Sequence, residues 1–217
     1  MNYQPERKLI AEFGRFLDRK GLVAGCDGNL SLRVEENRIL VTPSGFSKGR
    51  LSENDLVLVD LDGRPVNGTG KPSSETAMHL FVYESRPDIN ACCHAHPVYA
   101  TAFAVIGKEL PWDILPEVVL TVGHIPLTNF APPGTDAVPR SLEPYIADHE
   151  AFLLKSHGVL TLGKTMETAI NRMETVEHLA RIAYIAGQMG TLNSLDRAEI
   201  KRLQGVSKTH SERPDYD

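Results

Sequence analysis

Residues 71–97, KPSSETAMHLFVYESRPDINACCHAHP, predict a helix followed by a short strand that ends in two closely spaced histidines. The strand is expected at 88–93, after a proline breaker, and Pro97 prevents it from continuing into a sheet interior. Because side chains alternate across an extended chain, His94 and His96 lie on the same face and can point at one ion. Such a pair forms a catalytic zinc site when one more nitrogen or oxygen ligand joins it. In the alternative interpretation, one histidine is a core residue and the other a surface residue.

The composition indicates a globular protein that binds neither nucleic acid nor membranes. Of the 217 residues, 41% are hydrophobic, so we predict a single domain over residues 1–217, with a polar tail from about residue 205. The net charge is −5, and lysines and arginines form no run longer than a pair. This pattern excludes the basic surface typical of a nucleic-acid or anionic-membrane binder. No apolar stretch approaches membrane-spanning length.

The cysteines indicate a reducing compartment. There are three of them, and the adjacent pair Cys92 and Cys93 makes a poor disulfide. The N-terminus also lacks the apolar segment of a signal peptide. We therefore expect a cytoplasmic protein in which Cys26, Cys92 and Cys93 are buried structural thiols.

The rest of the chain alternates between helical and extended patterns. Apolar spacing and capping signals predict helices at 5–20, 73–86, 98–106, 138–147, 166–188 and 194–203. Alternation and turn signals predict strands at 30–34, 38–42, 56–60, 88–93, 117–121, 125–127, 151–154 and 159–162. Short strands joined largely by hairpins, with helices before, between and after them, predict the α/β class, as a three-layer α/β/α sandwich around a mostly antiparallel sheet.

His157 is the best candidate for the third metal ligand. It lies in the turn between the last two predicted strands, and Gly158 lets the backbone come close to a ligand. The other histidines are expected to be surface or packing residues: His79, His124, His149, His178 and His210. His79 is the strongest competitor, because it follows Glu75 by four residues on the same helix face and can support the ligands from behind.

Glu75 is the candidate catalytic acid and base. We expect it in the first turn of a helix capped by Ser73 or Ser74, where the helix dipole stabilises the carboxylate. Burial in a closed metal pocket is expected to raise its pKa toward the working range. In the alternative interpretation, Glu75 is only a favourable charge at a helix start.

Small polar segments from three parts of the chain can converge on an anion. They are residues 28–29, 42–45 and 73–74. Hydroxyl groups, an asparagine amide and free backbone N–H groups bind a phosphate where no arginine is supplied. Ordinary turn chemistry explains each segment equally well by itself.

Taken in order, these segments resemble the motif set of the class II aldolase/adducin family. The motifs are Gly28-Asn29-Leu30-Ser31, Thr42-Pro43-Ser44-Gly45, Lys71-Pro72-Ser73-Ser74-Glu75 with His79, His94-Ala95-His96-Pro97, and His157-Gly158 with Gly163. The resemblance covers roughly residues 6–190 and is greatest for the zinc aldolases similar to L-fuculose-1-phosphate aldolase. It implies an α/β/α sandwich around a nine-stranded, mainly antiparallel sheet. It also implies a C4 homotetramer with active sites at the subunit interfaces.

The same resemblance assigns roles to the site residues. It implies that His94, His96 and His157 hold a divalent metal, usually zinc, with Mn²⁺ or Co²⁺ as other choices. It implies that Glu75 is the catalytic acid and base. The implied phosphate site consists of Asn29, Thr42, Ser44, Gly45, Ser73 and Ser74.

The implied reaction is the reversible cleavage of a ketose 1-phosphate into dihydroxyacetone phosphate and an aldehyde, a step of carbohydrate metabolism. Zinc neutralises the charge of the enediolate, and Glu75 moves the proton to and from carbon, so no Schiff-base lysine is needed. The alternatives on the same scaffold are a pentulose-5-phosphate 4-epimerase and a methylthioribulose-1-phosphate dehydratase. A non-catalytic interaction module similar to the adducin head is a third alternative.

The chain departs from the fuculose aldolases of this family at one functional position. Those enzymes supply a tyrosine from a neighbouring subunit in the segment after the second helix, whereas residues 111–117, PWDILPE, contain none. Glu117 and Tyr216 are the candidates to replace it. The aldehyde, the second acid or base, the physiological metal and the pathway therefore do not follow from the sequence.

Overall fold

A single antiparallel sheet forms the centre of the protein. The computed structural model describes residues 2–66 and 70–210, with side chains as far as residue 205. Within these residues the sheet has six strands in the order β3-β2-β1-β4-β6-β5, and every paired strand is antiparallel to its neighbour. The strands are β1 Asn29–Glu35, β2 Arg38–Val41, β3 Val57–Val59, β4 Ala91–Ala95, β5 Ala151–Leu154 and β6 Gly158–Gly163.

Helices cover both faces of this sheet. They are α1 Gln4–Arg19, α2 Thr76–Ser85, α3 Val98–Val105, α4 Pro116–Thr121, α5 Ala137–Leu142, α6 Met166–Met189 and α7 Arg197–His210. Short 3₁₀ turns lie at Lys48–Arg50, Glu53–Asp55 and Trp112–Ile114. Thr165 caps α6 as predicted, because its side chain accepts a hydrogen bond from the backbone N–H of Thr168.

The alternation of side chains along β4 separates two hydrophobic cores. Ala91, Cys93 and Ala95 face a core that α1, α3 and α6 complete. Cys92 faces the opposite core, which α2 and α5 cover. His94 follows the alternation of Cys92, so the first predicted ligand lies on the α2 side of the sheet. The three-layer α/β/α sandwich is thus confirmed.

Two predicted strands were wrong. Residues 117–121 form the helix α4, because Pro116 occupies its first position and a proline there is already in helical geometry. Residues 125–127 contribute only an isolated parallel bridge between Leu127 and Leu153. The resemblance implies nine strands, whereas the described residues form six strands and three isolated bridges.

The last helix extends further than predicted. It runs over Arg197–His210, so the start of the expected polar tail is helical, and residues 211–217 lie outside the described part of the chain. In the described residues, no helix is both long enough and apolar enough to cross a membrane.

Candidate metal centre and anion pocket

Three histidines converge at the end of the central strands. His94 lies in β4, opposite Asn29 of β1 and Leu160 of β6. His96 follows the strand and is fixed by its backbone N–H, which donates to the carbonyl of Leu22 at 3.1 Å. His157 lies in the β5–β6 turn. One ring nitrogen from each of the three lies within 4.8 Å of the others, so the structure brings the predicted ligands together.

Hydrogen bonds select the ring nitrogens that face the centre. Nδ1 of His94 is 2.9 Å from the carbonyl oxygen of Val159, so it carries the proton and leaves Nε2 as a free lone pair. Nε2 of His96 lies only 3.0 Å from that Nε2. Two imidazole nitrogens that point at each other need a proton or a cation between them. This donor set fits a divalent metal such as zinc.

Two glycines make room for the histidines. A Cβ on Gly158 would lie 2.5 Å from the carbonyl oxygen of Ala95 and 2.6 Å from Cδ2 of His96. A Cβ on Gly28 would lie 2.8 Å from the carbonyl oxygen of His94, and its φ of +72° also favours glycine. The imidazoles therefore depend on close backbone approach at both positions.

Glu75 points into the histidine cluster. Its Oε2 is 3.2 Å from Nε2 of His94 and its Oε1 is 3.1 Å from Nε2 of His157. Asn29 donates through Nδ2 to Oε2 at 2.9 Å. Glu75 is the N-cap residue of α2, where the sequence predicted a first-turn position behind a serine cap. Ser73 instead accepts a hydrogen bond from the Glu75 backbone N–H.

The electrostatics of Glu75 and His96 suit a metal centre. Burial raises the pKa of Glu75, but the nearby His94 and His157 outweigh it and hold that pKa well below its usual range. Burial therefore acts on Glu75 in the predicted direction, but the net shift of its pKa is downward. Burial, with His94 and His157 as neighbours, lowers the pKa of His96 to about 4. A neutral imidazole has the lone pair that a metal ligand needs.

A pocket of about 300 Å³ joins this cluster to the small polar segments. Backbone hydrogen bonds from Ser44 N–H to the Lys71 carbonyl and from Ser73 N–H to the Thr42 carbonyl hold two of the segments side by side. The φ of Gly45 is +73°, a conformation that favours glycine. The pocket is lined by Glu75, His96, His157, Asn29, Ser44, Gly45, Ser73 and Ser74, among others.

Two members of the predicted phosphate set have other partners. The Asn29 amide donates to Glu75, and Asn29 is buried. Thr42 is fully buried and does not line the pocket, and its hydroxyl accepts a hydrogen bond from the Leu30 backbone N–H at 3.2 Å. Thr42 therefore ties β1 to the loop that carries Ser44. Direct phosphate binding by either residue stays a prediction.

Two residues that line the pocket were not assigned to the site from the sequence. Lys48 is buried next to the pocket. No local sequence signal reveals that it lies close to residues 26–29. Cys26 also lines the pocket and is exposed, so its predicted burial was wrong, whereas Cys92 and Cys93 are buried as expected.

The competing histidines have other environments. Nδ1 of His79 lies 2.6 Å from Oγ of Ser31, which is also 2.6 Å from the hydroxyl of Tyr83, in a buried group behind the centre. His124 and His149 contact each other at 3.1 Å, away from the pocket. His178 is exposed, and the side chain of His210 lies outside the described residues.

The α/β/α sandwich thus places three potential metal ligands and a carboxylate beside a small polar pocket, an arrangement typical of metal-dependent enzymes. A family profile described as Class II Aldolase and Adducin N-terminal domain matches residues 8–184, and the chain belongs to that family.

The chain is similar to proteins that are named for two different activities. The chain is 32% identical to a 3-oxo-tetronate 4-phosphate decarboxylase of Haemophilus influenzae, over 94% of this chain and 98% of the relative. It is 37% identical to an L-fuculose phosphate aldolase of Methanococcus maripaludis, over 79% of this chain and 92% of that protein. A solved L-fuculose 1-phosphate aldolase superposes with a TM-score of 0.87 at 30% identity, covering 93% of this chain and 95% of the other.

Proposed function

We propose that the protein is a zinc-dependent aldolase that reversibly cleaves a ketose 1-phosphate, similar to L-fuculose 1-phosphate, into dihydroxyacetone phosphate and an aldehyde. The position of Glu75 carries this proposal. Its carboxylate lies within 3.2 Å of the ligand nitrogens of His94 and His157, and it lines the same pocket as the serine segments. A substrate held by its phosphate in those segments extends toward that carboxylate.

The residues divide the chemistry between them. A divalent metal bound by His94, His96 and His157, with Mn²⁺ or Co²⁺ as substitutes for zinc, supplies Lewis-acid stabilisation of negative charge. Ser44, Ser73 and Ser74 hold the phosphate through hydroxyl groups, and Gly45 and Ser74 through backbone N–H groups, since the N–H groups of Ser44 and Ser73 are used between the loops.

Glu75 carries the proton. In cleavage it accepts the proton of the substrate hydroxyl as the C3–C4 bond breaks, and it returns that proton to the enediolate carbon. In condensation the transfers reverse. A single carboxylate completes this cycle, and Asn29 keeps it in place through the hydrogen bond to Oε2.

A second candidate is the decarboxylation of a 3-oxo acid phosphate. Loss of CO₂ from a 3-oxo-tetronate 4-phosphate leaves the same enediolate as aldol cleavage, so both reactions release dihydroxyacetone phosphate. Among the described residues, no tyrosine lines the pocket, so in aldol cleavage Glu75 has to take the proton from the hydroxyl as well as return it to carbon, whereas decarboxylation involves no removal of a hydroxyl proton. Tyr216 lies outside the described residues, and Glu117 lines a different groove, with Tyr99 and Arg181.

The test is to incubate the zinc-loaded protein with a panel of ketose 1-phosphates, pentulose 5-phosphates and a 3-oxo-tetronate 4-phosphate. Release of dihydroxyacetone phosphate together with an aldehyde supports the aldolase. Release with CO₂ instead supports the decarboxylase. Products that are only epimerised or dehydrated would exclude both and leave the scaffold with a different chemistry.

We also propose that residues 1–217 form one domain that assembles as a C4 homotetramer in the cytoplasm, with active sites at the subunit interfaces. The free thiols fit a reducing compartment. Exposed apolar side chains at the end of α6 favour an assembly, because they leave hydrophobic surface for another copy to cover: Tyr184, Ile185 and Met189. The three histidine ligands and Glu75 all belong to one chain, so each protomer holds its own metal centre.

A further inference from the structure

The pocket next to the histidines contains a buried cation, Lys48, which is not one of the predicted phosphate-binding residues. Lys48 is 1% exposed and lines the pocket together with Ser44, Gly45 and Ser73. A buried ammonium is costly unless charges or hydrogen bonds compensate it. The groups around the Lys48 ammonium therefore indicate whether its charge is compensated within the protein or is left for a ligand.

Lys48 connects two of the loops that form the pocket. Its Nζ donates to the carbonyl of Cys26 at 2.9 Å and to the carbonyl of Phe46 at 2.6 Å. The first carbonyl precedes the Asp27-Gly28-Asn29 segment, and the second follows Gly45. The ammonium thus holds both loops at one point.

The charge of Lys48 lacks a close partner in the described chain. No carboxylate oxygen of the described residues lies within ion-pair distance of Nζ, and Asp27 and Glu75 act on it only from farther away. Burial lowers the pKa of Lys48, whereas Cys26, Asp27 and Glu75 favour its charged form. An ammonium has three donors, and the two carbonyls use two of them. One donor and most of the charge remain for a ligand.

The backbone of Lys48 is firmly placed. It begins the Lys48–Arg50 3₁₀ turn, which packs on α1 at Gly14, where a Cβ would lie 3.3 Å from the Lys48 carbonyl oxygen. The side chain therefore reaches the pocket from a rigid base and cannot simply swing into solvent.

We propose that Lys48 is an anion-binding residue of this pocket, whose ammonium attracts the phosphate group of the substrate and fixes the two loops that donate to it. The inference rests on the proposed function, since it adds a cation to the phosphate site assumed there. It implies that the enzyme selects phosphorylated over unphosphorylated substrates partly by charge.

The test measures binding of inorganic phosphate to the zinc-loaded full-length protein by calorimetry. Lys48→Met keeps the apolar stem and removes the charge, Lys48→Gln keeps a donor without the charge, and Lys48→Arg keeps both. We expect the phosphate Kd to rise about tenfold or more in the Met and Gln variants and to stay within about threefold in the Arg variant. Lys108→Met, which removes an exposed lysine away from the pocket, is the control for net charge and should change Kd less than twofold.

The outcomes separate the two claims. Phosphate binding by Lys48→Met and Lys48→Gln at wild-type strength overturns the role of Lys48 and leaves the phosphate site intact. If Lys48→Arg binds phosphate as weakly as Lys48→Met, the role of the charge is overturned, because the loss then comes from a change in loop geometry. Absence of phosphate binding by the wild type overturns the phosphate site itself and Lys48 with it. Zinc content and the thermal unfolding midpoint, measured on each variant, show that the histidine centre and the fold persist.

Discussion

At the scale of single residues, the proton carrier is the most direct test of the chemistry. Glu75→Gln keeps the shape and the hydrogen bond from Asn29 but cannot accept or return a proton. We expect kcat for release of dihydroxyacetone phosphate to fall by about 10²–10⁴-fold while bound zinc stays at the wild-type ratio. Glu84→Gln, at an exposed position of the same helix, is the control and should leave kcat unchanged. Near-normal activity in Glu75→Gln would remove the carboxylate from the mechanism.

The metal depends on a ligand that lies far from the His94–His96 pair in sequence. His157→Gln removes one of three imidazoles and leaves a two-nitrogen site, so zinc affinity should fall by at least about 100-fold. The check is the metal-to-protein ratio after dialysis against a weak chelator, read by atomic emission. His178→Gln, at an exposed position in α6, should retain full occupancy. Equal zinc in His157→Gln and the wild type would show that another residue completes the site.

Buried His79 should make folding sensitive to acid. Burial and, to a lesser extent, His94 lower its pKa to about 3, against about 6.5 in an unfolded chain. Between these values the unfolded state binds the additional proton, so stability is lost as the pH falls below about 6.5, by up to about 1.4 kcal/mol per pH unit. In the metal-free protein, urea unfolding at pH 7 and pH 5.5 should show a loss about 1 kcal/mol larger for the wild type than for His79→Gln. Equal losses would mean that His79 is protonated in the folded state as well.

At the scale of elements, the β5–β6 turn sets the histidine geometry. In Gly158→Ala the new methyl group meets Ala95 and His96, so we expect a destabilisation of about 1–3 kcal/mol and weaker zinc binding. Gly187→Ala is the matched control, since nothing lies within 4 Å of its Cβ in α6, and it should stabilise the protein by about 0.5–1 kcal/mol. Urea unfolding with and without zinc measures both. A neutral Gly158→Ala would mean that the turn relaxes away from the histidines without cost.

Sequence periodicity predicted the elements that local patterns determine. Alternation along the extended chain correctly brought His94 and His96 to one point, and Thr165 correctly marked the start of α6. The segment 117–121 was read as a strand because it is rich in β-branched residues, yet Val118 and Val119 are buried as part of a short helix. Pro116 at the first helical position, together with the packing of these two valines, determined the structure of that segment.

The site was predictable where a residue type carries its own chemistry. The three histidines and Glu75 could be chosen by type and spacing, and the structure brings them together. Lys48 could not, because its importance comes from two carbonyl groups on loops that are distant from each other in sequence. Thr42 was chosen for its hydroxyl, although that hydroxyl is used by Leu30 inside the fold. Local sequence does not reveal which partner a polar group finds.

At the scale of the whole molecule, assembly and catalysis can be separated. Ile185 and Met189 lie four residues apart on α6 and are 45% and 84% exposed, so they form one apolar strip at the end of the helix. The double variant Ile185→Asp/Met189→Asp adds charge to this strip without touching either core. We expect the wild type to have the mass of four chains in light scattering and the variant to have a lower mass, with reduced activity and unchanged zinc content.

The control for this experiment is Gln188→Asp, which places one carboxylate at an exposed polar position on the same turn. It places one of the two added charges near the same helix C-terminus, so a general effect of charge on α6 appears in it as well. Retention of zinc in a dissociated variant follows from the location of all three ligands in one chain. A wild type that remains a single chain at micromolar concentration would contradict the tetramer, and full activity in that state would show that one protomer holds the complete active site.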